Sequence, residues 1–430
     1  MDAPAITAPV PPMIEQEPRN RTAKVNASTV RSSLPIGVKN VGKSCWFSTI
    51  LQLLFHIPEN RRIVLNSSVI EEGKDEKDIA LLKALRVQFA IMQDRRLPFA
   101  DPTDCLRALD SMFPDEDVFH KQNDADLFLS WTLRSLERAT ATRDAPSPLV
   151  PFFGHTVQPQ RTTAVQLGWK EVREHYSFSL YTPLEDFYVA FEHYLKSSTQ
   201  ELWIVEPCRV ATFTLSRARA DITMDKSPFR IPEIIFIDRY LRRNFAEINI
   251  ARMQKSHLVK EIEEIRQDIA VDALLEKSGP NTPDEHSAKV DQLHALEKQL
   301  KEYDIFAGPK YRQTSYDLHA IMMHIGTSTK KGHDFVYIKH HESGWLECND
   351  SIVRQVPWST VQERALGDNE ATSAMALFYV LSSAKDELLD YDRRLLSNVD
   401  EYKLEPVETL PSDLQDMIAK EYAGSTSSTS

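Results

Sequence analysis

The sequence predicts an α+β protein: a helical lobe, an antiparallel sheet and an inserted helical hairpin. Three observations predict it. Apolar residues recur at steps of three and four across residues 45–136. Short alternating runs of β-branched and aromatic residues replace them over about 144–236 and return after Tyr316. Between the two sheet regions, residues 238–306 revert to the helical period.

The 430 residues are 42% hydrophobic, enough for a sizeable core. The net charge of −12 and pI near 5.6 argue against nucleic-acid binding, which favours a basic domain. No stretch is apolar for long enough to span a membrane. Cys45, Cys105, Cys208 and Cys348 show no C-x-x-C spacing, so a zinc ribbon is not expected, nor any other metal or cofactor. The expectation is a reducing compartment, cytoplasmic or nuclear.

In chain order, residues 1–33 carry five prolines and no apolar period, which predicts a disordered tail. Residues 34–237 form the first part of the main domain. Its first helix is marked by Ile50, Leu51, Leu54 and Phe55, with Ser44 as N-cap, and it stops by Pro58. Leu82, Leu85, Phe89 and Met92 mark another helix, and Leu129, Leu133 and Leu136 one that Asp124 caps. Ala211, Phe213 and Leu215 then alternate with hydroxylated residues, as in a strand.

Residues 238–306 predict two antiparallel helices. Leu258, Ile262, Ile265 and Ile269 stripe the first; Val290, Leu293, Leu296 and Leu300 stripe the second; Ser278 to Pro283 separates them. The hairpin either packs on its own domain or self-associates, with Phe245, Ile250 and Met253 as leftover apolar surface. Residues 307–385 complete the main domain with strands near 316–324, 333–340 and 344–349 and a closing strand at 375–381. Residues 386–430 read as a helical and disordered tail with a Ser/Thr-rich end at 425–430.

The chemistry centres on Gly37 to Ser48, a glycine-punctuated loop running into a helix with Cys45 in its first turn. The positive end of the helix dipole favours a thiolate there. On position alone, the better reading of Cys45 is a small apolar residue starting a core helix, since buried free cysteines are common. His333 tips the balance. It heads a strand in which His333, Phe335 and Tyr337 share one face and Val336 and Ile338 the other. The next strand, Gly344 to Asp350, returns Asn349 and Asp350 beside it. Cys, His and Asn/Asp, distant in sequence and close in space, are what a thiol protease needs. The sulfur and a His333 ring nitrogen should then lie within reach of one another. His324, His340 and His341 read as surface or packing residues.

The stretches GVKNVGKSCWFS, GHDFVYI and GWLECND resemble the cysteine and histidine boxes of the ubiquitin-specific proteases. Gln122-Asn123-Asp124 resembles their Gln-Gln-Asp box. Phe229 to Tyr240 is similar to the branch containing ubiquitin-specific proteases twenty-five and twenty-eight, where a helical arm follows. The resemblance covers roughly residues 34–385. It implies a papain-like fold, with a helical thumb against a palm and fingers sheet and no zinc in the fingers. It implies Cys45 as nucleophile, His333 as general base and acid, Asn349 as its orienting partner and Asn40 as oxyanion-hole donor. Asp350 is a second candidate orienter, and which of the two lies closer stays open.

Lys43, Asn123, Leu127 and Asp334 depart from the family's usual residues, and Asp334 is placed to disturb His333 or the lining of the tail channel. The expected function is a deubiquitinating isopeptidase acting on ubiquitin and its conjugates, with a homodimer through 238–306. The alternative is an inactive ubiquitin-binding scaffold assembled by its hairpin.

Overall fold

The computed structural model describes residues 34–143, 145–163, 166–196, 200–219, 223–275, 283–303, 305–306, 308–328, 331–341, 344–367, 372–389 and 407–427. The tail expected over 1–33 and most of the Ser278 to Pro283 break lie outside them.

Strand β1 (Gly37–Val38) leads into α1 (Cys45–Phe55), followed by α2 (Pro58–Asn66), α3 (Glu76–Asp94), β2 (Phe99–Ala100), α4 (Thr103–Met112), α5 (Ala125–Thr140) and the short α6 (Val150–Phe153). Every residue of α1 is buried, because its apolar positions nearly encircle the helix. Trp46 meets Phe128 of α5 with ring centroids 4.3 Å apart. Buried Asp78 of α3 accepts hydrogen bonds from Ser135 and Arg138 of α5 at 2.6–2.8 Å, tying the helices together. Asp124 caps α5 by accepting from the amides of Asp126 and Leu127.

Next come β3 (His155–Thr163), β4 (Gln166–Trp169), β5 (Arg173–His175), β6 (Ser177–Tyr181), α7 (Phe187–Leu195), β7 (Gln200–Glu206), β8 (Val210–Ser216) and β9 (Ile234–Phe236). Beyond the hairpin helices α8 (Phe245–Leu275) and α9 (Pro283–Glu302) lie β10 (Ser315–Ser328), β11 (Lys331–His341), β12 (Gly344–Asn349), β13 (Ile352–Val356), α10 (Trp358–Leu366), β14 (Thr372–Leu381), α11 (Lys385–Leu389) and α12 (Ser412–Ser427). The large sheet runs β13-β12-β11-β10-β14-β8-β6, with β9 also on β10. A smaller sheet joins β4, β3 and β5, with β7 on β3. The expected antiparallel pairing holds in these two sheets except between β6 and β8, which run parallel.

The large sheet is apolar on both faces. Ala320, Met322, Val336, Ile338, Leu346 and Cys348 face the helical lobe and share its core. Phe335, Tyr337, Trp345, Leu377 and Tyr379 face the opposite core, built with α7 and α10. The alternation read in β11 thus assigns its residues to two different cores.

Residues 407–427, expected as a tail, belong to the helical lobe instead. Val407, Leu410, Leu414 and Ile418 are buried in its core, and Asp413 pairs with Arg86 of α3 at 3.0 Å. Helix α12 continues to Ser427, into the stretch expected to lack structure.

Helices α8 and α9 pair along their lengths, with Arg266–Glu297 and Lys289–Asp272 bridges at 2.6 Å. Phe245, expected to be left over, packs against Trp203 at the base of the hairpin, with ring centroids 5.1 Å apart. Ile250 and Met253 remain 57% and 72% exposed. Before α8, fully buried Asp238 accepts from the amides of Gln313 and Thr314 and from the Thr314 hydroxyl at 2.8–3.0 Å. It therefore clamps the chain entering the hairpin to the chain leaving it.

Asp238→Ala would strand those buried donors, so the expected loss is about 2–4 kcal/mol of stability. Urea unfolding of the two proteins measures it, and a loss below about 1 kcal/mol would show that the clamp is dispensable.

Candidate active site

The loop before α1 is shaped by backbone contacts. Gly42 has φ +69°, and a Cβ there would lie 2.1 Å from the carbonyl oxygen of Phe119, so only glycine fits. The Lys43 amide donates to that same oxygen at 3.0 Å. Ser44 stands at the N-cap position, but its hydroxyl accepts from the Val41 amide rather than from the first turn of α1. Asn40 Oδ1 accepts from the Ser44 amide at 3.0 Å, so Asn40 holds the loop that presents Cys45.

Across the sheet, His333 Nε2 lies 2.7 Å from Asn349 Oδ1 and 3.8 Å from Asp350 Oδ2. Asn349 is the nearer partner. An amide oxygen only accepts, so Nε2 carries the proton and Nδ1 holds a bare lone pair. Asp350 sits in the turn after β12 with φ +50°, and its Oδ2 accepts from Asn40 Nδ2 at 3.0 Å. Its backbone carbonyl accepts from the Val38 amide at 2.8 Å. Burial raises the Asp350 carboxyl, and the neighbouring His333 and the hydrogen bond from Asn40 oppose that rise.

Cys45 is 2% exposed, and its sulfur meets different groups from those expected. It lies 3.5 Å from both amide atoms of Gln122 and accepts from the Asp334 amide at 3.4 Å. Among the described residues no hydrogen bond joins it to His333. His333 shares its face with Phe335 and Tyr337, whereas Asp334 shares the face of Val336 and Ile338, against which α1 packs. Burial foremost, then the Asp334 carboxylate, push the Cys45 thiol up to about 12.

Asp334 Oδ1 lies 2.6 Å from His324 Nδ1, and Oδ2 accepts from Gln122 Nε2. His324, expected at the surface or in packing, is buried and bonded at both ring nitrogens. The contact of Gln122 with the sulfur is not one that sequence reasoning finds. Its signal is the Gln122-Asn123-Asp124 box itself, immediately before the Asp124 cap that fixes α5. Asn123 is buried and Leu127 exposed.

Beside these residues lies a cavity of about 380 Å³, lined by Gln122, Asp124, Asp126, Arg217, His324 and Asp334 among others. Burial, with Asp124 beside it, raises Asp126 to about 7. Among the described residues no group of three or more His, Cys, Asp or Glu could hold a metal, and no helix is long and apolar enough to cross a membrane.

A helical lobe carrying a thiol, closed against a sheet that carries an Asn-bonded imidazole, is the papain-like arrangement. Residues 36–379 match the family described as ubiquitin carboxyl-terminal hydrolase, and the chain belongs to that family. It is 27% identical over 272 residues to ubiquitin carboxyl-terminal hydrolase 28 of Homo sapiens, covering 55% of this chain and 25% of that protein. The Gallus gallus protein of the same name is 28% identical over 244 residues, covering 48% and 23%. A probable ubiquitin carboxyl-terminal hydrolase of Caenorhabditis elegans, K02C4.3, is 34% identical over 116 residues, covering 26% and 8%. The aligned regions thus span about a quarter or less of these relatives.

With the thiol this far up, iodoacetamide should alkylate Cys45 slowly at about pH 7 and roughly tenfold faster for each added unit of pH. Mass spectrometry of the Cys45 peptide follows the rate, and a plateau already reached at about pH 8 would contradict the raised thiol.

Proposed function

We propose that the chain is a thiol isopeptidase that hydrolyses the bond between the C-terminal glycine of ubiquitin and a lysine or another ubiquitin. The observation that carries this reading is the 2.7 Å bond from His333 Nε2 to Asn349, which fixes the tautomer with Nδ1 free to act as a base. In the reaction, His333 Nδ1 takes the Cys45 proton while Nε2 stays bonded to Asn349. The thiolate attacks the glycine carbonyl carbon, and the carbonyl electron pair moves to oxygen. Asn40 gives one amide hydrogen to Asp350 and keeps the other for that oxyanion, so Asp350 orients the donor as well as flanking His333. The imidazolium returns its proton to the leaving amine. Water activated by the same Nδ1 then hydrolyses the thioester.

A second reading, a ubiquitin-binding scaffold without turnover, is favoured by one observation: the sulfur is engaged by Gln122 and the Asp334 amide. A ubiquitin derivative with a C-terminal electrophile separates the two. The isopeptidase reading expects covalent capture by the wild type and none by Cys45→Ala, which should still bind ubiquitin non-covalently. Binding without capture by the wild type supports the scaffold, and capture surviving in Cys45→Ala shows a different nucleophile. Asn40→Ala should slow turnover by about 10²–10³-fold, the usual cost of one oxyanion donor.

The hairpin is proposed as a self-association arm, on the strength of Ile250 and Met253 exposed along α8. Replacing 246–300 by a short flexible linker should leave a folded, cleaving domain and convert the protein to a monomer by light scattering. A full-length protein already monomeric at tens of micromolar removes self-association. Loss of folding on deletion makes the hairpin part of the domain core.

A further inference from the structure

Asp334 and His324 face each other directly across the β10–β11 ladder, on the side that meets α1. The pair is almost wholly buried, and its seat is built for an imidazole. A Cβ at Gly332 would lie 2.2 Å from His324 Nε2, and one at Gly326, whose φ is +152°, would lie 2.9 Å from it. Two glycines therefore leave the room that the ring fills. His324 Nε2 lies 3.2 Å from the Ser328 carbonyl oxygen, which only accepts, so Nε2 bears a hydrogen. Gln122 Nε2 supplies a hydrogen to Asp334 Oδ2. The 2.6 Å contact between Nδ1 and Oδ1 then requires one more proton, which leaves the pair without net charge. The carboxylate end of the pair is the end beside Cys45. Through Gln122 and its own amide, residue 334 supplies hydrogen bonds to the sulfur.

We propose that Asp334 and His324 are positioning residues for the thiol: the buried Asp334 carboxylate beside the sulfur keeps it a resting thiol, against the hydrogen bonds from Gln122 and the residue-334 amide that favour the thiolate. His324 moderates this by neutralising the carboxylate. The inference rests on the reading of Cys45 as nucleophile. Gln122, Asp334 and His324 also line the cavity beside the site, so a substrate tail entering there meets the latch itself. The other charged and titratable groups around it are Asp124 and Asp126 at the start of α5, Arg217 beyond β8, and His333 and Asp350 at the ends of β11 and β12. Lys226, bonded to the Gly326 carbonyl oxygen at 2.7 Å, stands behind the ring.

Two substitutions change the charge in opposite directions while keeping the hydrogen bonds. In Asp334→Asn the amide donates to His324 Nδ1 and accepts from Gln122, but the anion is gone. In His324→Asn the amide still donates to Asp334, but the shared proton is lost and the site gains a net negative charge. The full chain is reacted with iodoacetamide across a pH series, and Cys45 alkylation is read by mass spectrometry. At about pH 7 the Asp334→Asn protein should be alkylated roughly tenfold faster than wild type, and the His324→Asn protein several-fold slower, with midpoints shifted down and up respectively. A site that is merely loosened would speed alkylation in both. Profiles that coincide with wild type, or that move together, overturn the proposal. Thermal melts check folding; if His324→Asn is unfolded, His324→Gln takes its place, since slower alkylation in the His324 variant is the result that separates the proposal from a loosened site. Capture by electrophilic ubiquitin separates failure of the nucleophile assignment, which abolishes capture in wild type, from failure of the latch, which leaves the alkylation profiles unshifted.

Discussion

The packing of α1 on β11 is the contact on which the rest of the structure depends. Ile50, Leu51, Leu53, Leu54 and Phe55 are all fully or almost fully buried, each contributing about 1.5–3 kcal/mol of transfer free energy. That packing fixes the height of the α1 N-terminus against the start of β11, and hence the distance between the thiol and residues 333–334. On its far side, α1 is held by Trp46 against Phe128, and α5 is held in turn by Asp78 of α3. The loop carrying Asn40 is pinned both to Ser44 and to Asp350 beyond β12. Thumb and sheet are thus joined around the site by polar bonds at its rim and by apolar packing beneath it.

Because the large sheet has a core on each face, every residue of β11 must choose one. His333 goes with Phe335, and Asp334 goes with Val336. This separates two jobs that adjacent residues perform. One side chain binds Asn349 at the end of β12; the next is buried and bonded to Gln122 beside the sulfur. The raised thiol follows from burial in that second environment and from the carboxylate within it.

Much of this was legible in the sequence. The glycine loop, the helix behind Cys45 and the alternation in β11 are local patterns, and local patterns specify local structure. Asn349 was a candidate because β12 returns antiparallel to β11, but its advantage over Asp350 depends on a turn with positive φ, which no period reveals. The role of His324 depends on which residue of β10 stands opposite Asp334, and strand register is set by tertiary packing. The alternation that groups Val336 with Ile338 already implies that Asp334 points at the helical lobe, so that much lay within reach. Val407, Leu410, Leu414 and Ile418 step by three and four, a helical signal masked by the polar residues around it. The parallel β6–β8 pair was beyond reach, since alternation gives a strand's faces but not its neighbour or direction.

The Asp238 clamp has a consequence for how this chain can vary. It fixes the two ends of the hairpin at one point, bonding residue 238 to residues 313 and 314. For a segment with pinned ends, the entropy of closure grows only with the logarithm of length, about 0.6 kcal/mol per doubling for a flexible chain. The domain beneath therefore experiences the arm as a closed loop, almost whatever its length. Helices α8 and α9 are free to lengthen, shorten or change their outer faces without redistributing load into β10, and so without moving His324 or the sulfur it helps to hold.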